Sequence, residues 1–98
     1  MEKIVNAKTE FSFLGLSKFT RKFVVQLGFI TYENCEAKTV RTKEIEVNDI
    51  KFITDILNYL ELQRWEDIPR KFARIKIDTE TNQVVALGHW MENKWINF

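Results

Sequence analysis

Residues 23–30 read "FVVQLGFI". Phe23, Val25, Leu27 and Phe29 alternate onto one face of an extended strand, the period-two signature of a half-buried sheet. Val24 and Ile30 point the other way and are apolar as well, so this strand asks for cover on both sides. Residues 83–90, "QVVALGHW", repeat the problem. Strict alternation there sends Ala86, Gly88 and Trp90 one way and Val85, Leu87 and His89 the other.

Outward from these two stretches the chain sorts into short elements. "KIVNAKTEFSFLGL" (3–16) is rich in β-branched and aromatic residues and ends near a turn offered by Gly15 and Ser17. Tyr32–Asn34 reads as the next turn, and "CEAKTVRT" (35–42) as a third strand closing a meander. Residues 48–62, "NDIKFITDILNYLEL", place Ile50, Ile53, Leu57 and Leu60 at helical spacing, with Phe52 and Ile56 widening the stripe. Asn48 is the expected N-cap, and Lys51, Asp55, Asn58 and Glu61 form the wet face. A single helical turn at 65–68 stops at Pro69, which forces the preceding residue out of the α region. "KFARIKID" (71–78) then alternates Ala73, Ile75 and Ile77 against Arg74 and Lys76, and strands at 83–90 and 94–98 follow.

The expected fold class is α+β: a mainly antiparallel curved sheet in the order β-β-β-α-β-β-β, packed against one helix in a single domain over residues 1–98. One helix of about four turns covers part of one sheet face. Val24, Ile30, Val85 and Leu87 then need a further cover: a sheet curled into a half-barrel, tryptophans folded over it, or another chain. A homodimer or a protein partner is accordingly expected.

Composition narrows the function. The formal net charge is +1 across 15 basic and 14 acidic residues, so no strong overall pull on nucleic acid is expected. One cysteine excludes an internal disulfide and fits a reducing cytoplasm. No apolar run reaches membrane-spanning length, and "MEKIVNAKTEF" lacks a signal-peptide pattern, so a cytoplasmic protein with no membrane contact is expected.

Catalytic constellations are nearly absent. One Cys and one His cannot supply a four-ligand zinc site, and Cys35 with His89 lacks an orienting acid, so neither a metal nor a cofactor is expected. Glu66 and Asp67 diverge as sequence neighbours and read better as a capped turn than as an acid/base pair. The isolated glycines form no phosphate-cradling loop. The sharpest feature is "RKFARIK" (70–76), where Phe72 lies between Arg70 and Arg74 on the face shared with Lys76. Cations interleaved with an aromatic suit RNA or single-stranded DNA, although a solvated strand face is the plainer reading. Lys18, Arg21 and Lys22 make a second basic cluster. The three tryptophans read first as core anchors and second as interface hot spots.

Leu14–Gly15, Trp65–Asp67, Arg74, Gly88–His89 and Lys94–Trp95 together resemble the pattern of a group of small proteins from phages and prophages of Gram-positive bacteria, along nearly the whole chain. The chain departs from that group at 26–40, where the group is glycine-rich. The resemblance implies an accessory gene of a mobile element, active in a bacterial host cell. Three functions follow as expectations. The first is a non-enzymatic inhibitor or modulator of a bacterial host or defence protein, such as an anti-CRISPR, with a partner surface of Arg70, Phe72, Arg74, Lys76, Val85, Leu87, His89 and Trp90. The second is a nucleic-acid accessory protein using 70–76. The third is a sponge for a small signalling ligand.

Overall fold

A computed structural model describes residues 1–33 and 35–98. β1 (Glu2–Leu16), β2 (Phe23–Glu33) and β3 (Glu36–Arg41) form the expected meander. The expected turn at Tyr32–Asn34 is shorter than its pattern suggested, because Tyr32 and Glu33 still pair with β3, while Asn34 lies outside the described residues. A two-residue strand, β4 (Ile45–Glu46), then adds to β2 opposite Val24 and Val25. It is too short for any periodicity to announce. The helix α1 (Ile50–Tyr59) follows, then a 3₁₀ turn at Trp65–Asp67, β5 (Phe72–Asp78), β6 (Gln83–Gly88) and β7 (Trp95–Asn97). The chain is thus α+β as its sequence implied, a curved sheet packed against a helix.

The strand order explains where both apolar faces of "FVVQLGFI" go. β1 pairs along its first half with β5 and along its second half with β2. β5 pairs with β6, β2 with β3, and β3 meets β6 in parallel through Arg41 and Gln83. The circuit β1-β5-β6-β3-β2-β1 therefore closes into a five-stranded barrel, with β4 and β7 added at its rim. All pairs are antiparallel except the β3–β6 closure, and the helix enters between the third and fourth barrel strands. That is a partly open Greek-key barrel of the OB type. A bulge between Thr9 and Phe11 bends β1 where it passes from one partner to the other.

Val25, Leu27, Phe29, Val40, Ala73, Ile75, Ile77, Val84 and Leu87 fill the interior, and α1 closes it with Ile56 and its C-cap Leu60, joined by Ile68. Leu87 is fully buried. It pairs with Ile75, whose side chain also faces inward; beyond it lies a second bulge, where Lys76 pairs with Ala86 and Ile77 with Val84, so Val85 is the extra residue. Strict alternation fails at that point. Val84 and Leu87 both face inward, and Ala86 and Gly88 face outward. Val24 is buried too, while Ile30 and Val85 are half-buried. Of the three covers considered for these side chains, closure of the sheet on itself is the one that buries Leu87.

The helix begins one residue later than expected. Asp49, not Asn48, is the N-cap, its Oδ1 accepting the Lys51 N–H at 3.0 Å. At the other end Leu62 N–H donates to the Leu57 carbonyl and Glu61 N–H to that of Asn58, a Schellman closure. Glu61 occupies its left-handed position, at φ 58°. Glycine would sit there without strain. Ile50, read as part of the apolar stripe, is exposed because the stripe meets the barrel only from Phe52 onward.

Candidate functional site

The outer face of β1, β5, β6 and β7 gathers most of the sequence-singled residues. Pairing sets them in rows across the sheet. Ile4 stands opposite Lys76 and Ala86, Asn6 opposite Arg74 and Gly88, and Lys8 opposite Phe72. Trp95 pairs with Gly88 from the rim, and its ring lies over that glycine. Lys76 Nζ is 4.5 Å from the Trp95 ring centroid, Arg74 Cζ is 5.3 Å from it, and Lys8 Nζ is 5.3 Å from that of Phe72. Each is within cation–π range. Phe72 is 64% exposed and Trp90 51%. Together they border an open hollow of about 500 Å³, completed by Asn6, Ala7 and Ala73.

Residues 89–94 join β6 to β7 and carry Trp90, and the loop is held from several directions. The Arg74 guanidinium donates through Nε to the His89 carbonyl at 2.9 Å and through a terminal nitrogen to the Glu92 carbonyl. His89 Nδ1 accepts the N–H groups of Met91 and Glu92 at 3.1 and 3.0 Å. A nitrogen that accepts two N–H donors carries no proton, so Nε2 bears the hydrogen and donates it to Glu61 Oε1 at 2.8 Å. The loop is thereby pinned to the end of α1. Lys94 Nζ hydrogen-bonds Glu92 at 2.9 Å and holds that carboxyl below the usual range of a glutamate. Arg74, Gly88, His89, Lys94 and Trp95, which came from separate parts of the resemblance pattern, therefore meet in one loop assembly.

Several members of the expected partner surface take different places. Leu87 belongs to the core and is removed from that surface. Val85 is half-buried at the bulge, and its carbonyl accepts the Phe98 N–H at 2.9 Å. The His89 side chain is 12% exposed with both ring nitrogens engaged, so it shapes the loop; its partners are Glu61, Met91 and Glu92, with Cys35 not among them. Arg70 does not continue the alternation of β5. Thr9 stitches the preceding linker to β1: its hydroxyl donates to the Ile68 carbonyl and accepts the Lys71 N–H, and its carbonyl accepts the Arg70 N–H. Arg70 turns at φ 71° and borders a separate hollow with Lys8, Glu10, Ile30 and Tyr32. Phe72, Arg74, Lys76 and Trp90 remain as the platform. Sequence reading missed Lys8, Asn6 and Trp95 as its members, because they reach it only through pairing with β5 and β6.

The second basic cluster lies elsewhere. Lys18, Arg21 and Lys22 sit in the loop between β1 and β2, about 26 Å along β1 from Lys8 at ~3.3 Å per residue. Ser17 Oγ accepts the N–H groups of Phe19 and Thr20 there, and Lys22 pairs with Glu46 at 3.5 Å. Nor does Asp67 cap its turn. Arg64 grips both its oxygens at 3.1 Å and lowers the carboxyl below the usual aspartate range. Among the described residues no three His, Cys, Asp or Glu side chains converge as a metal site requires, and no helix is long and apolar enough to cross a membrane. Comparison of the chain with family models, with curated proteins and with solved structures gives no match.

Proposed function

We propose that this is a non-enzymatic binding protein whose β1–β5–β6–β7 face holds single-stranded RNA or DNA. One observation carries the reading: Phe72, Trp90 and Trp95 share a continuous outer surface with Lys8, Arg74 and Lys76. Single-strand binders combine cations that follow the phosphates with rings on which bases stack. The near-neutral total charge does not oppose this, because the acids are largely elsewhere or paired. Glu92 is held by Lys94, and Glu61 by His89. The barrel type hosts many unrelated functions and adds no weight of its own. A labelled single-stranded oligonucleotide titrated at several salt concentrations tests the reading. Binding should fall steeply with salt, and Lys76→Ala should lower the log–log slope by about 0.7 for the lost phosphate contact. Absence of binding at low salt rejects it.

A second reading keeps the same surface and changes the occupant. Exposed Phe72 and Trp90 beside Arg74 have the composition of a protein-interface hot spot. With the resemblance to phage proteins, this supports an inhibitor of a bacterial host or defence protein. Capture from bacterial lysate that survives nuclease and high salt, and is lost in Trp90→Ala, favours it over the first.

A further inference from the structure

We propose that the hollow between Phe72 and Trp90 is a slot for one unpaired nucleobase, an inference that rests on the single-strand reading above. Its volume of about 500 Å³ falls within the ~300–1,000 Å³ of small-ligand sites. Two aromatic side chains border it, and a base has two π-faces to offer them. The side chains of Ala7 and Ala73, paired across β1 and β5, face the core, so the floor between the rings is their main chain. The Asn6 amide stands at the wall with no partner among the described residues. It presents a donor and an acceptor to the edge of a base, the groups by which asparagine reads one.

The slot is formed before anything enters it. Arg74 and His89 fix the loop that carries Trp90 through four hydrogen bonds to its main chain. Little ordering therefore opposes binding at that ring. Lys8 stands directly opposite Phe72 on β1, and Lys76 lies four residues along β5, about 13 Å away at ~3.3 Å per residue. A base in the slot thus has a cation beside it, and a second within reach of a neighbouring phosphate. Duplex bases are stacked on their neighbours and cannot enter, so the slot selects single strands.

The experiment compares a short single-stranded oligonucleotide, the same backbone with every base removed, and the corresponding duplex. Wild-type protein should bind the intact strand at least tenfold more tightly than the abasic strand or the duplex, with quenching of tryptophan fluorescence. Phe72→Ala and Trp90→Ala should each weaken binding of the intact strand about tenfold and leave the abasic strand unaffected, while Trp90→Phe keeps most of the affinity and loses the quench. Both side chains are exposed, and unchanged circular dichroism and melting temperature check that the variants fold. Equal binding of intact and abasic strands would overturn the slot while leaving a charge-based single-strand surface standing. Failure of all three probes to bind would overturn both readings.

Discussion

Phe11 lies over Gly28 and Trp95 lies over Gly88, in each case an aromatic seated on a glycine directly opposite it in the neighbouring strand. Both glycines have ordinary negative φ, so what they supply is room for a ring. Beyond that the two regions diverge. Phe11 joins the second half of β1 to β2 at the bulge where the barrel turns. Trp95 fastens the short rim strand β7 to β6, with Arg74 and Lys76 against its ring and an open hollow one row away. The same backbone device is a staple in one place and the base of a platform in the other. What makes the difference is the loop assembly around Arg74 and His89, which the Phe11 side lacks.

Adding a methyl group to each glycine tests that contrast most directly. At Gly28 a Cβ would come within 2.0 Å of the Phe11 ring, and at Gly88 within 2.7 Å of the Trp95 ring. Neither distance is tolerable, so the ring must leave. Gly28→Ala should destabilise the fold by about 3 kcal/mol, at the upper end of overpacking costs, since a barrel strand is disturbed. Gly88→Ala should cost less, about 1–2 kcal/mol, because β7 is a three-residue rim strand, yet it should abolish oligonucleotide binding. Chemical denaturation and the binding titration together separate the two. Equal loss of stability with binding retained in Gly88→Ala would erase the distinction between staple and platform.

Arg74→Lys is the next step down. It keeps the charge but cannot reach two carbonyls with a fixed fork. Loss of the loop contacts should cost about 1 kcal/mol and weaken strand binding, with the salt slope unchanged. Lys76→Ala should do the reverse, sparing stability and flattening the slope. A slope lowered in Arg74→Ala as much as in Lys76→Ala would show that Arg74 touches phosphate directly rather than positioning Trp90.

These distinctions were unevenly legible in the sequence. "KFARIKID" announced its two faces because nothing interrupts its alternation, and Ala73, Ile75 and Ile77 are buried as the pattern requires. "QVVALGHW" misled at Leu87, because which of its faces turns inward is decided by pairing with Ile75, and at Val84, because a bulge adds a residue without leaving a compositional mark. Barrel closure was one of three covers consistent with apolar residues on both faces, and it depends on pairings between strands far apart in the chain. Phe72 and Arg74 were found as site candidates from local spacing. Lys8 and Asn6 were not, since their place on the platform comes from the register of β1 against β5. Glu61 falls on the wet face by helical spacing, and it is exposed. Only the left-handed end of α1, with no glycine to signal it, brings its carboxylate to His89.

The smallest expected effect concerns the turn at Trp65–Asp67, remote in character from both glycine pairs and useful as their control. Asp67 is held ionised chiefly by its hydrogen bonds from Arg64, so its carboxyl titrates below the ordinary 3.8. A carboxyl with a depressed folded value stabilises the native state above its unfolded value and loses that contribution as pH falls through the folded one. Asp67→Asn should therefore lower the melting temperature slightly near pH 7, and the gap to wild type should close as pH falls below about 4. Both groups are solvent-exposed, so the gap should also shrink with added salt. Strand binding should be unchanged at every pH where the protein is folded, because the Arg64–Asp67 fork touches neither Trp95 nor the loop that carries Trp90. A binding defect in Asp67→Asn would mean that the platform extends to this turn, and the boundary drawn between staple, platform and control would have to move.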